Sequence, residues 1–179
     1  MHTDELLNAV LSCGASKAAP VHAGEVITSP VFFDVCKQNS CGNFGRCWMC
    51  PPELGEISEL IARVQSYQQG ILYQSISEIE DSFDIEGMQD AAFRHAQLSQ
   101  RIEEALRPVL GEKHLHLSCG GCRLCEVCAK RTGEPCRFPD KALPSMEGYG
   151  IDVYATVKPT PLKYINGQNT VTYFGIVLF

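Results

Sequence analysis

Several features that identify common classes of protein are missing from this 179-residue sequence. No run approaches the roughly 20 consecutive apolar residues that a membrane-spanning helix requires, so we expect no membrane contact. Nucleophile elbows, phosphate-binding loops and dinucleotide fingerprints are also missing, which leaves ordinary hydrolase and nucleotide-binding functions without support. Basic residues are scarce, since 15 Lys and Arg against 21 Asp and Glu give a formal net charge of -6. Nucleic acid is therefore not an expected partner.

The N-terminal segment lacks the basic residues of a signal peptide. Asp4 and Glu5 stand where Lys or Arg would be expected, and Asn8 interrupts the apolar run. This pattern predicts a soluble helix and a cytoplasmic protein. Disulfide bonds are disfavoured in that reducing compartment. The ten cysteines are therefore interpreted as metal ligands.

Nine of those cysteines fall into two short segments. The first segment, CKQNSCGNFGRCWMCPP at 36–52, contains Cys36, Cys41, Cys47 and Cys50. The second segment, CGGCRLCEVCAKRTGEPC at 119–136, contains Cys119, Cys122, Cys125, Cys128 and Cys136. Basic residues outnumber acidic ones between 119 and 141, which would stabilise metal-bound thiolates there.

The second segment is typical of an iron–sulfur site. A 4Fe–4S cluster presents iron at four separate corners, so a tight loop with cysteine at every third position can bind three of them. The simplest set is Cys122, Cys125 and Cys128, with either Cys136 or Cys50 as the distant fourth ligand. The longer gap before Cys136 is permitted, because loop closure costs only roughly 0.6 kcal/mol more per doubling of length.

Zinc is the alternative metal. It is commonly bound by two separated Cys-x-x-Cys pairs, and Cys47 with Cys50 would form one of them. The four thiols of the first segment suffice for a complete cluster or for a zinc site, and Gly42 and Gly45 would let backbone amides approach the sulfurs. A buried turn with spare thiols is the remaining interpretation of that segment.

Hydrophobic patterning predicts an α/β sandwich with a mixed sheet, in a single domain covering residues 1–179. Strands are predicted within 20–35, ending at Cys36, at 71–76, and in KHLHL before Cys119, which would put both cysteine loops at strand ends. A helix is expected from about Pro52 to Tyr67.

Further elements are expected along the chain. A long helix at 85–109 has Asp84 as a candidate N-cap. A shorter helix is expected after Ser145, and Asn166-Gly167 predicts a C-terminal hairpin. The polar run YINGQNTVTYFG would form part of that hairpin or line a small-molecule pocket.

Three histidines are secondary candidates. His95 lies on the apolar face of the long helix, where it is interpreted as a hydrogen-bonded core residue, with a cluster ligand or proton donor as the alternative. His114 and His116 share one face of the strand before the second cysteine segment. They would be structural, exposed, or metal ligands.

The chain resembles a family of cysteine-rich "predicted metal-binding proteins" that is common in anaerobic prokaryotes. The resemblance is carried by CKQNSCGNFGRCWMCPPELGEI, DSFDIEGMQDA, GGCRLCEVCA, PCRFPDKALPSMEGYGIDV and YINGQNTVTYFG, and it covers nearly the whole chain after about residue 20. It implies metal or iron–sulfur binding and no particular reaction. The family's motifs match Cys36, Cys41, Cys50, Pro51, Pro52, Cys122, Cys125, Cys128 and Cys136. Cys13, Cys47 and Cys119 are additional, so seven matched thiols are one fewer than two fully ligated cubanes need.

These observations leave three hypotheses for function. The first is an iron–sulfur protein with one or two 4Fe–4S clusters that transfers electrons to a redox partner protein or a small-molecule substrate. The second is an enzyme whose incompletely ligated cluster acts as a Lewis acid on a small molecule. The third is a zinc-stabilised interaction module.

Overall fold

The computed structural model describes residues 3–179. The helices are α1 (Thr3–Ser12), α2 (Val31–Lys37), α3 (Ile57–Gln65), α4 (Ile85–Leu110) and α5 (Val153–Val157). The strands are β1 (Lys17–His22), β2 (Gln69–Glu78), β3 (Leu115–Leu117) and β4 (Thr170–Leu178). The helices and strands together confirm the predicted α/β class.

The strands form one sheet in the order β1-β2-β4-β3. Each neighbouring pair is antiparallel, with Ile71 opposite Val177 and Leu117 opposite Ile176. The expected mixture of strand directions is therefore wrong. Helix α4 connects β2 and β3, which run in the same direction. Strand β4 lies between them and runs in the opposite direction, so β2 and β3 do not pair with each other.

The N-cap of helix α4 and the spacing of its apolar residues explain why this segment is helical. The Asp84 side chain accepts a 2.8 Å hydrogen bond from the Gly87 amide at the first turn. Leu98, Ile102 and Leu106 recur on one face and are almost fully buried. Burying such a side chain contributes about 1.5–3 kcal/mol. The predicted helix at 85–109 and its N-cap are confirmed.

Helices cover both faces of the sheet. On one face, α4 and α1 pack against the inward side chains of β2 and β4, including Ile71, Tyr73 and Val177. On the other face, α3 and the segment around Met146 pack against Leu72. Two hydrophobic cores therefore flank the sheet, as expected for a sheet buried between helices.

The segment that leads into the first cysteine group is helical, which corrects the predicted strand end at Cys36. Strand β1 ends at His22, and α2 then carries Cys36 in its last turn. Pro30 precedes the first residue of α2, where the fixed φ of proline suits helix initiation. The apolar residues of this segment therefore belong to a short helix and not to a strand.

Three further expectations are corrected. No hairpin forms at Asn166-Gly167, since these residues precede the single strand β4, whose partners are β2 and β3. The helix expected after Ser145 is a single 3-10 turn at Glu147–Tyr149, because Gly150 at φ 75° ends it. Helix α3 begins at Ile57, since Pro52 lies in the turn that closes the first cysteine group.

None of the helices within residues 3–179 combines the length and apolar character that crossing a bilayer requires.

Candidate metal centre

The two cysteine segments lie against one another beside the end of β3. Strand β3 ends at Leu117, and the next residue, Ser118, forms an isolated parallel bridge with Ser145. The second segment therefore starts at a strand end as predicted, whereas the first begins in helix α2. Tertiary contacts described below hold the two loops together.

Three thiols of the first segment surround one cavity. Cys36, Cys41 and Cys50 line a space of about 180 Å³, together with Glu147. A hydrogen bond of 2.9 Å from the Gly45 amide to the Pro51 carbonyl closes the loop that carries Cys50. Gly45 has φ 66°, a backbone conformation that glycine adopts without strain. We call this group of thiols the first thiol set.

Five thiols surround a second, smaller space. We call them the second thiol set: Cys47, Cys122, Cys125, Cys128 and Cys136. The volume enclosed is about 10 Å³, comparable to that of one water molecule. Loading this set with a metal cluster would therefore spread the thiols apart, which the surrounding loop of turns and bends permits. Cys47 is the member that comes from the first segment.

Cys47 also joins the two sets. Its sulfur is hydrogen-bonded to the Cys50 thiol of the first set, and it also interacts with the Cys128 thiol and the Cys122 amide of the second segment. The bond from Cys50 lowers the pKa of Cys47 to about 6. The amides of Met49 and Cys122 act in the same direction, whereas burial acts in the opposite one. The same bond and burial raise the pKa of Cys50. Cys47 is therefore more readily ionised than an ordinary cysteine, and metal binding requires the thiolate.

A group of polar contacts holds the two loops together. The Trp48 indole donates a 2.9 Å hydrogen bond to the Glu134 carbonyl. Lys130 Nζ lies 4.3 Å from the centroid of the Trp48 ring and 2.7 Å from the Glu53 carboxylate. Each of these contacts connects the first segment to the second, so the thiol sets are positioned relative to each other by residues that bind no metal.

Gly121 of the second loop lies beside Asn43 of the first. A Cβ atom there would lie 2.7 Å from Nδ2 of Asn43, closer than real Cβ contacts come. Only glycine allows the second loop to reach the first without displacing Asn43. Because Gly121 lies next to Cys122, this close approach sets the position of the second thiol set.

Two cysteines belong to neither set. Cys119 lines another cavity of about 240 Å³, beside Ser99 and Ser118, which Cys122 of the second set also lines. Burial raises the pKa of the Cys119 thiol. The Cys13 sulfur contacts the Arg101 carbonyl on helix α4, at 3.6 Å. Neither placement favours a role as a ligand of the thiol sets.

His114 and His116 belong to a buried polar network and line neither thiol cavity. His114 Nδ1 donates to the Gly111 carbonyl at 2.6 Å, while His114 Nε2 and His116 Nδ1 donate to Glu103 at 3.0 and 2.9 Å. Although burial opposes ionisation, these bonds lower the pKa of Glu103 well below its ordinary range. Tyr73 Oη then lies 2.8 Å from His116 Nε2. These histidines are therefore structural.

His95 is a hydrogen-bonded core residue, as predicted. Its Nε2 lies 3.1 Å from the Phe174 carbonyl, which can only accept, so Nε2 carries the proton. Its Nδ1 accepts from the Ser75 hydroxyl at 2.7 Å. The ring is fully buried and neutral, and burial lowers its pKa to about 4.

Glu147 is a site residue that the sequence analysis did not identify. It lines the first cavity, and its Oε2 atom is buried without a hydrogen-bond partner among residues 3–179. Glu147 follows Cys50 by nearly a hundred positions and belongs to no ligand motif. A local pattern therefore had no means of finding it.

The thiols are distributed around two spaces and do not converge on one point. Among residues 3–179, no three or more His, Cys, Asp or Glu side chains are placed to hold one metal ion. The thiols instead surround two spaces. Sulfur is the donor that iron–sulfur clusters and zinc both select, but each thiol of a cluster binds a different iron, so the ligands need not converge on one point.

Comparison with known proteins agrees with this donor set. A family model described as "Predicted metal-binding protein (DUF2284)" matches residues 19–179, and the chain belongs to that family. No curated protein and no solved structure matches the chain significantly. Membership therefore establishes a metal-binding family and leaves the identity of the metal to the chemistry of the site.

Proposed function

We propose that this member of a metal-binding family is an iron–sulfur protein, with one 4Fe–4S cluster at each thiol set, that transfers electrons between the two clusters and a partner. The observation that carries the proposal is the sorting of eight cysteines, three in the first set and five in the second, around two adjoining spaces. A cubane has four iron corners, so the first set supplies thiolates for three corners of one cluster and the second set has enough thiols for all four corners of another.

The contact between Cys47 and Cys50 supports electron transfer. Because the two thiols are hydrogen-bonded, clusters bound on either side of them would be separated by one pair of cysteine side chains. Iron–sulfur clusters supply one-electron chemistry when bound. The protein contributes the ligands, holds the two sets together through Trp48 and Lys130, and keeps the thiols partly buried.

The form of the thiol sets favours clusters over zinc. Zinc takes four ligands at about 2.0–2.3 Å from a single centre, and no group of that kind exists among residues 3–179. The first cavity, at about 180 Å³, has room for a group of several atoms. Zinc retains one supporting observation, which is the small volume of the second space, about 10 Å³.

Metal analysis after anaerobic purification tests the proposal. We expect iron and sulfide together with broad visible absorption, because charge transfer from thiolate to iron colours such clusters, whereas zinc has a filled d shell. A colourless protein that carries stoichiometric zinc and no iron would disprove the proposal.

A matched pair of serine variants separates the sites. Cys125→Ser removes a central member of the second set, and we expect it to lose about half of the iron, since it breaks the period of three by which Cys122, Cys125 and Cys128 would wrap one cubane. Cys119→Ser changes a neighbouring thiol that lies outside both sets and is expected to retain all of the iron. Equal iron in the two variants would remove Cys125 from the ligands.

A second candidate function is Lewis-acid catalysis at the first set. It is favoured by the count of only three thiols around that cavity. An iron without a thiolate can bind and polarise a substrate. The cavity's polar lining, from Asn43, Ser145 and Glu147, would orient a small molecule. Spectroscopic change on adding cyanide or a small thiol to the loaded protein would support this candidate.

A further inference from the structure

We propose that the carboxylate of Glu147 is the fourth ligand of the cluster at the first thiol set. The inference rests on the proposed function and assigns the one corner that Cys36, Cys41 and Cys50 leave without a thiolate. It distinguishes an oxygen-ligated cluster from one completed by Cys47.

The position of Glu147 is the first reason. Glu147 lines the cavity that the three thiols line. Cys47 lines the other space, with the second thiol set. Of the two residues that could complete the first set, the carboxylate is therefore the one that shares its cavity.

The state of the carboxylate is the second reason. Glu147 Oε2 is inaccessible to solvent and accepts no hydrogen bond from residues 3–179. An unpaired buried carboxylate oxygen is costly, and native proteins pair such groups or coordinate them to metals. The Gly120 amide, the Ser145 hydroxyl and the amide of Glu147 itself donate to the carboxylate, but Oε2 accepts none of these hydrogen bonds. A cluster iron in the same cavity would supply the missing partner.

The backbone around Glu147 is held in place from three directions. Met146 N donates to the Ser118 carbonyl at 2.9 Å, which connects the turn to the start of the second loop. Ser29 N donates to the Gly150 carbonyl at 2.7 Å, which connects it to the approach to helix α2 and hence to Cys36. A Cβ on Gly148 would lie 2.9 Å from Leu54, so the turn is also pressed against the chain that follows Cys50. These contacts place the carboxylate, as expected of a ligand.

The chemistry of a mixed ligand set follows from ligand softness. Thiolates suit iron–sulfur clusters, whereas a carboxylate is a harder oxygen donor that binds the same iron less strongly. The fourth iron of the first cluster would therefore be the iron that is lost most easily. It would also be the iron at which an added thiol replaces the protein ligand most easily. The second cluster, with only thiols around it, would serve as an internal reference.

The test compares anaerobically loaded parent, Glu147→Ala, Glu147→Cys and Cys47→Ser proteins. Glu126→Ala, which removes an exposed carboxylate of the second segment, is the matched control. Iron and sulfide content are measured before and after mild oxidation, and electron paramagnetic resonance spectra are recorded with and without added small thiol. Circular dichroism and the signal of the second cluster report whether each variant is folded.

We expect Glu147→Ala to lose one of the four irons of the first cluster on oxidation and to bind added thiol more readily than the parent. Glu147→Cys should retain that iron more firmly than the parent, because a thiolate replaces the carboxylate. Glu126→Ala should behave as the parent does. If Glu147→Ala does not fold, Glu147→Gln keeps the side-chain size and should show the same loss.

The outcomes separate this inference from the proposed function. A parent protein without iron–sulfur signals contradicts the proposed function itself. A parent with two clusters, combined with an unchanged first cluster in both Glu147→Ala and Glu147→Gln, overturns only the assignment of Glu147. Loss of the first cluster in Cys47→Ser, with none in the Glu147 variants, would identify Cys47 as the fourth ligand instead.

Discussion

Acidification should destabilise this protein through His95, and the size of the effect follows from its burial. The folded-state pKa lies at about 4, against an ordinary value of 6.5. The unfolded chain therefore binds a proton that the folded chain excludes between those two values, so stability falls as pH drops through that range. At 1.36 kcal/mol per unit the full loss is about 3 kcal/mol, of which about 2 kcal/mol is reached at pH 5.

Urea unfolding of the metal-loaded parent and of His95→Gln at pH 7.5 and pH 5 measures this effect. The Gln amide keeps one donor for the Phe174 carbonyl and one acceptor for the Ser75 hydroxyl, but it does not titrate. Acid weakening of the metal sites is common to both proteins and cancels in the comparison. We expect the parent to lose about 2 kcal/mol more than the variant between the two pH values. If the parent and His95→Gln lose the same free energy of unfolding between the two pH values, His95 is not the source of the acid destabilisation.

Two further substitutions test the structure. Both polar atoms of the buried Gln74 side chain lack a partner among residues 3–179, so Gln74→Leu should raise the free energy of unfolding by about 1–3 kcal/mol. Gln74→Glu should lower it, and a stability loss in both would contradict this account. Gly121→Ala would place a Cβ 2.7 Å from Asn43 and should speed iron loss to a chelator severalfold. Gly24→Ala is the control, because a Cβ there meets nothing within 4 Å. Adding Asn43→Ala to Gly121→Ala should restore the slow iron loss of the parent, and a double variant that still loses iron fast would show that the contact with Asn43 is not the cause.

The elements that the sequence predicts well depend on local interactions. Helix α4 was predictable because its N-cap and its apolar face are formed by residues within a few turns of one another. Strand β3 was predictable for the same reason, from alternation over a few positions. The pattern predicts Cys36 at a strand end, whereas it lies in helix α2, because a short apolar run has no period that distinguishes strand from helix.

The direction of the sheet and the partners of β4 required long-range pairing. Asn166-Gly167 is a good hairpin signal, yet β4 pairs with β2, almost a hundred residues earlier in the chain. A turn pattern reports which bend the backbone can adopt and carries no information about which distant strand offers a free edge. The insertion of β4 between β2 and β3 therefore appeared only in the folded chain.

The sequence by itself determined that this protein concentrates its thiols in two loops, and that their spacing suits a metal cluster. That conclusion needs only residue type and separation, because ligand chemistry is a property of the side chains. The tertiary structure decided which thiols share a cavity. Cys47 and Cys50 are three positions apart but line different spaces, and Glu147 reaches the first cavity through contacts with distant segments. Sorting of this kind depends on packing between residues far apart in the chain, which only the fold brings together.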